Sequence, residues 1–335
     1  MGGDREDADA GRPVEHREVD AAPVTANRLH IGIGVDQNLP WPTLIERWRL
    51  VETLGFDSLW DFDHLNQPSR PDGPYFEAWT LLGGMAVHTS RVRLGVLVSS
   101  NTFRHPAILA KQAITLDHMC GGRLDVGLGA GWFVPEHEAY GVDFPGPGER
   151  VSRFREAVEV LDRLLSQERT TYEGRYYRLR DAVCLPRPLQ SPRPPLMLAG
   201  HGPRMLRIIA ERGDLWNSFG TPAEIRERNA ILDEHCRTIG RDPTTLRRSL
   251  YGWATQTPSE AWADERAGGW AASLARGEHR LPTDPWLSPQ ACLDFIETYR
   301  EAGIDHFVID APRADQLDVM ERFAADWLGR LRAGA

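Results

Sequence analysis

The sequence predicts an α/β protein of the closed (β/α)8 barrel class, and three observations carry that expectation. Eight strand-like runs alternate with helical patterns, several of the runs are continuously apolar, and several end in glycine, serine or asparagine. Such alternation marks a parallel sheet. Continuous apolar runs suit strands covered on both faces, and parallel α/β proteins carry their sites at strand carboxyl ends. A barrel takes about 250 residues and tolerates insertions, which the 335 residues allow.

The elements follow in chain order. Strand-like runs begin at Leu29 (LHIGIGV), Phe56 (FDSLWDF), Val92 (VRLGVLV) and Arg123 (RLDVGLG). Four more begin at Pro195 (PLMLAG), Asp214 (DLWNSF), Leu246 (LRRSLYGWAT) and Asp305 (DHFVID). The third run passes into the polar turn Ser99-Ser100-Asn101 and then a helix opened by Pro106. The fourth ends in Gly129-Ala130-Gly131-Trp132. After Glu149, apolar Val151, Phe154, Val158, Leu161 and Leu165 recur at spacings of three and four, one buried helical face. Ser288-Pro289 reads as an N-cap followed by proline at the first helical position, and Gly303 closes that helix.

Two segments depart from the unit. Residues 167–194 read as a short hairpin with a Pro-rich approach to the fifth run, and residues 257–287 are rich in Trp, Pro and Gly. Long insertions are usually lids, binding loops or contact surfaces. Residues 1–27 are polar and acid-biased, so they read as a disordered tail ahead of one barrel domain at 28–335.

Composition excludes several classes. A net charge of -9 and a pI near 5.7 argue against nucleic acid as a partner. No apolar run approaches a membrane span, and the head carries neither an apolar signal core nor twin arginines. Cysteines 120, 184, 236 and 292 are too far apart for a CxxC pair, so buried thiols in a reducing cytoplasm are expected.

The candidate chemistry lies at strand ends. Asp63-His64 closes the second run; a histidine moves protons near neutral pH, and a neighbouring carboxylate fixes its tautomer. Asp61 points to the opposite face and is the weaker candidate. Ser99, Ser100 and Asn101 supply hydrogen-bond donors, although such residues also serve turns locally. Arg104 suits a phosphate, a carboxylate or the acidic surface. Gly127-Leu128-Gly129-Ala130-Gly131 looks like a dinucleotide fingerprint, but it follows the fourth run and no helix opens at once. Its glycines fit close approach of a flat ligand. Gly200-His201-Gly202-Pro203-Arg204 opens a helix, a place where backbone amides favour phosphate. No GxxxxGK[ST], HExxH or GxSxG occurs, so neither nucleoside triphosphate hydrolysis, a metal site nor a serine nucleophile is expected.

Taken in order, four stretches resemble the luciferase-like oxidoreductase superfamily over about residues 28–333. They are GFDSLWDFDH, RVRLGVLVSSNTFRHPAILAKQAITLDHMCGGRLDVGLGAGW, PLMLAGHGPRMLRIIAERGDLWN and GIDHFVI. GAGW, HGPRM and GRDP are most similar to its deazaflavin-using branch. The resemblance implies a bacterial-luciferase-type barrel that transfers hydride between coenzyme F420 and an organic small-molecule substrate. An FMN-dependent monooxygenase fed by a partner reductase is the alternative, and a non-catalytic flavin-binding or assembly barrel is a third reading. The resemblance makes His64 the proton-handling residue, oriented by Asp63. It places Leu97, Val98, Ser99, Asn101, Gly129, Ala130 and Gly131 along the cofactor ring and ribityl chain, with a non-prolyl cis peptide near Leu97-Val98. Ala199, Gly200, His201, Gly202, Pro203 and Arg204 would hold the phosphate, and Trp132 and Trp253 would line the substrate pocket. Sugar-phosphate dehydrogenases of this branch carry Glu where Trp132 stands and Trp where Pro68 stands, so that activity is not implied. A homodimer is expected, and the tryptophans of 257–287 suit either a pocket or a subunit contact.

Overall fold

The computed structural model describes residues 28–68, 71–252 and 285–333. Trp253, Trp262, Trp270 and residues 1–27, on which several expectations rest, lie outside the described residues. Strands β1 (His30–Gly34), β2 (Ser58–Asp61) and β3 (Arg93–Val96) pair in parallel. A two-residue strand β4 (Ser99–Ser100) continues β3, and both pair with β5 (Leu124–Gly129). The hairpin β6 (Arg169–Glu173) and β7 (Arg178–Val183) stands apart as an antiparallel pair. Then β8 (Leu196–Ala199), β9 (Leu215–Ser218), β10 (Arg247–Gly252) and β11 (His306–Asp310) complete the sheet, and β11 pairs with β1 to close it. All eight strand-like runs become barrel strands, and 167–194 contains the expected hairpin.

Strand residues alternate between two separate packings. Ile31, Ile33, Leu59, Leu94, Val126, Leu128, Leu198, Phe307 and Ile309 join the core shared with the helices. The inward face holds a smaller cluster of Trp60, Met197, Leu215 and Val308. Trp60 fits only because glycines face it. A Cβ on Gly95 would lie 2.3 Å from the indole, and one on Gly32 3.0 Å from its nitrogen. Either would force a repacking of the interior. The indole N–H is satisfied by donating to Ser58 Oγ at 2.7 Å.

Below Trp60 the inward face departs from the apolar interior expected of strands covered on both sides. His30, Ser58, Arg93, Asp125, Ser249 and His306 fill the lower barrel; His30 lies 2.9 Å from Ser58 Oγ, while neither ring nitrogen of His306 has a hydrogen-bond partner among the described residues. Arg93 holds Asp125 at 2.6 and 2.8 Å, and Asn217 donates to Ser249 at 3.0 Å. Apolar continuity along the strands therefore reports the helix-facing side.

The helices start as their residues dictate. Ser288 accepts a hydrogen bond from the Ala291 amide ahead of the helix Pro289–Arg300, and Gly303 adopts φ 92° just beyond it. Thr221 and Glu224 form a reciprocal capping box, a device whose cap is worth about 1 kcal/mol. The long helix Pro147–Ser166 buries Phe154, Val158, Leu161 and Leu165, the face its periodicity marks. Trp286 is fully buried and donates to the Asp310 carbonyl at 2.6 Å. It is a core residue, neither a pocket wall nor a subunit contact.

Candidate active site

The carboxyl ends of the barrel strands surround one pocket of about 850 Å³, within the range of small-molecule sites. Asp63, His64, Leu97, Val98, Ser99, Ser100, Gly129, Ala130, Gly131, Trp132, Ala199, Gly200, His201 and Gly202 all line it. Residues from four separate crossovers, expected from strand-end position and from the family resemblance, thus share one cavity.

His64 follows β2 and presents its ring to this cavity. Its Nδ1 lies 2.9 Å from Glu136 Oε1, and the second carboxylate oxygen accepts the Leu65 amide at 3.0 Å. The Glu136 side chain is 2% exposed, so the carboxylate sits where charge interactions are strong. With Nδ1 donating to Glu136, Nε2 is the nitrogen left to exchange a proton in the pocket. The indole of Trp132 meets the imidazole edge-on at 5.5 Å, fixing its plane. Glu136 is reached because Val134–Tyr140 forms a short helix with Pro135 in its first turn.

Asp63 does something other than expected. Its carboxylate grips Arg104 at 2.5 and 2.9 Å and accepts the Ser100 amide at 2.7 Å. Consecutive residues leave a strand end in different directions, so Asp63 braces the β3–β4 segment while Glu136 orients His64. Arg104 is thereby used inside the protein. The braced segment contains the Leu97–Val98 peptide, which is cis as expected.

The adjoining wall, packed against that segment, is bare backbone. A Cβ on Gly129 would lie 2.8 Å from Val98, and one on Gly131, at φ 81°, 2.9 Å from Ser100 Oγ. Only glycine keeps that wall flat. His137 pins the loop from behind: Nδ1 donates to the Phe133 carbonyl at 2.7 Å, and Nε2 lies 2.7 Å from Thr102 Oγ1. Further round, Gly202 caps the helix Pro203–Arg212, and open space lies where its Cβ would point. An anion can approach those amides directly.

Three expected cofactor contacts do not line the cavity. Asn101 turns its amide to the hydroxyl of Tyr177 on the hairpin at 3.2 Å, because its own N–H is fixed to the Gly129 carbonyl. Pro203 begins its helix behind the opening. Arg204 reaches away to the Gly148 carbonyl at 3.2 Å and to Ser152 at 3.0 Å. The cation that faces the pocket from this side is Arg150, one turn into the long helix and 3.9 Å from the Phe144 ring centroid. Partial burial lowers the Arg150 pKa. Asp61, as expected, points away; among the described residues neither of its carboxylate oxygens has a hydrogen-bond partner, and burial raises its pKa well above the usual range, helped by Asp63 and Glu77.

Sequence reasoning did not assign Glu136, Arg150, Asp36, Tyr251, Asp310 or Arg313 to the pocket. The available signals were slight: a Pro-Glu pair just beyond Gly131-Trp132, and an arginine in Gly-Glu-Arg at a helix start.

A closed parallel barrel with a glycine wall, an amide-lined helix start and a carboxylate-held histidine is the architecture of a cofactor-binding oxidoreductase. The luciferase-like monooxygenase family matches residues 23–303, and the chain belongs to that family. It is 33% identical over 313 residues to an F420-dependent glucose-6-phosphate dehydrogenase of Beutenbergia cavernae, covering 85% of this chain and 91% of that one. In fold it is similar to an F420-dependent secondary alcohol dehydrogenase, with TM-score 0.76 and 22% identity over 88% of this chain and 98% of that one. A Streptomyces bottropensis monooxygenase gives TM-score 0.70 and 23% identity over 90% and 99% of the two chains. At these identities the solved structures speak to fold.

Proposed function

We propose that this protein moves hydride between coenzyme F420 and an organic substrate, with His64 handling the accompanying proton. One juxtaposition carries the reading: the flat wall of Gly129–Gly131, the open amides at Gly202 and the Nε2 face of His64 share one cavity. The residues fit the group. A tricyclic ring has bare backbone to lie on, and Leu97 and Val98 back it from the strand bulge. Its phosphate has the amides at Gly202 and, on that side among the described residues, the cation Arg150. A phosphodiester carries one charge, which such a cradle suits better than the terminal phosphate of FMN, which carries more than one. The curated relatives named for F420 point the same way.

When bound, the deazaflavin supplies a ring carbon that accepts or returns hydride; the protein supplies position and electrostatics. His64, held by Glu136, takes the hydroxyl proton of a substrate being oxidised or returns it in reduction. Asp63 and Arg104 keep the strand bulge in place beneath the ring. Fluorescence titration with F420 and with FMN tests the assignment. Tighter F420 binding is expected, and tighter FMN binding overturns it in favour of a two-component monooxygenase.

We further infer a cytoplasmic homodimer served by a separate cofactor-reducing enzyme. Val87, Ile108 and Met119 are exposed on the adjacent helices Ala78–His88 and Pro106–Met119, an apolar face suited to a second copy. All four cysteines are buried free thiols, and no described helix is long and apolar enough to cross a membrane. Light scattering that shows a monomer at micromolar concentration removes the dimer.

A further inference from the structure

The half of the pocket remote from Gly200–Gly202 is built by the ends of β1, β2, β10 and β11. The Tyr251 hydroxyl donates to Asp310 at 2.5 Å, and its ring lies 5.3 Å from that of Phe62. Both groups press on bare β1 backbone: a Cβ on Gly34 would stand 2.8 Å from Phe62 and 3.3 Å from the Asp310 carboxylate. Asp36 faces the same space from two residues further along. Burial pushes its carboxyl up to about 6, although Arg47 opposes the shift. The cation on this side among the described residues is Arg313, half exposed and already 3.2 Å from Asp315.

We propose that the substrate is an uncharged hydroxyl compound with an apolar body, or the carbonyl compound it yields, and that phosphorylated substrates are excluded. This rests on the hydride-transfer reading of the same pocket. Phe62, Tyr251 and Trp132 cover carbon, while the Asp310 carboxylate, held by Tyr251, can accept a hydrogen bond from a polar group of the substrate. In oxidation the carbinol C–H bond breaks with its electron pair passing to the cofactor. The hydroxyl proton passes to His64 Nε2, and the C=O double bond forms. A phosphate carries a charge of about -1.5 to -2 at neutral pH. Among the described residues it would meet here two carboxylates, Asp36 and Asp310, and one arginine that is already paired, and like charges brought together repel. The inference separates this chain from its relatives named for glucose-6-phosphate.

The test uses a matched pair, para-hydroxyphenyl methyl carbinol and its aryl phosphate, with calorimetric binding to full-length protein saturated with F420 and, in parallel, with FMN. The parallel arm keeps the substrate result independent of the cofactor assignment, which the two titrations decide by themselves. We expect the carbinol to bind at least about 30-fold tighter than its phosphate. Asp36→Asn with Asp310→Asn is expected to narrow that ratio by about tenfold while cofactor affinity stays within about twofold, which reports an intact fold. Asp36→Asn alone gives the same direction should the double variant not fold. Equal binding of the pair, tighter binding of the phosphate, or no binding of the carbinol overturns the proposal.

Discussion

The two ends of the barrel carry the same residue types and use them differently. At the lower end Arg93 holds Asp125, Arg332 reaches Asp57 at 2.8 Å, and the His30 and His306 rings lie 4.0 Å apart with His30 bonded to Ser58. Apart from the His306 ring nitrogens, these groups answer one another inside the protein. At the upper end Glu136 is likewise partnered by His64 and Asp63 by Arg104, yet the imidazole keeps a face toward an 850 Å³ cavity. The difference teaches that histidine and aspartate at a strand terminus are chemistry only where the strand points. At the amino ends the same residues close the barrel. At the carboxyl ends they leave one atom exposed to a ligand.

Substitutions at the two ends should therefore fail in different ways. His64→Ala is expected to lower turnover about 10²- to 10⁴-fold, the span of general acid–base catalysis, with F420 affinity and melting temperature nearly unchanged. A loss of less than about fivefold in steady-state assays would place the proton elsewhere. At the lower end, Asp125→Asn leaves Arg93 without its charge partner and should cost about 3 kcal/mol of stability, read by urea unfolding, with kcat kept. If kcat falls instead, the ends are coupled and the contrast is broken. Glu136→Gln sharpens the contrast, since it keeps the geometry and removes the charge. It should slow turnover about tenfold, because the charged acceptor that orients the imidazole becomes a neutral one. Glu136→Asp should restore part of the rate. Unchanged turnover in the Gln variant means that Glu136 only packs.

How much of this was legible in the sequence follows the same division. The eight strands were readable because apolar runs and helix caps are local signals, as at Ser288-Pro289 and the Val151–Leu165 stripe. His64, Gly129–Gly131 and Gly200–Gly202 were readable because strand ends and glycines announce a ligand-facing backbone. Partnership was not. Asp63 is adjacent to His64 in sequence, yet Glu136, 72 residues away, holds the ring, and contacts at that distance exist only once two crossovers are folded side by side. Arg204 failed for a related reason. A helix start fixes where its amides point, but a long flexible side chain takes whichever acceptor is near, here Gly148 and Ser152. The polar lower barrel was hidden too, because Asp125 and His306 sit singly within apolar runs.

The smallest expected effect probes the lower end by pH. Burial holds the His30 and His306 pKa values well below 6.5, helped by nearby Arg247 and Arg93. Neither ring nitrogen of His306 has a hydrogen-bond partner among the described residues. The unfolded chain therefore takes up protons first as pH falls, so the stability that goes with a neutral His306 is full above about pH 7 and is lost on acidification through 6.5 toward the folded pKa. Asp36 and Asp61 act with the opposite sign, since burial raises their pKa values and the fold protonates them more readily than the unfolded chain does. The quantity to follow is thus the melting-temperature difference between wild type and His306→Asn, in which the two aspartates cancel. Between about pH 7.5 and 5.5 it should move against the wild type by about 1 kcal/mol, or roughly 2 °C. A difference that stays constant with pH would mean that water or charge reaches His306, and that the lower barrel is open in a way its ion pairs do not show.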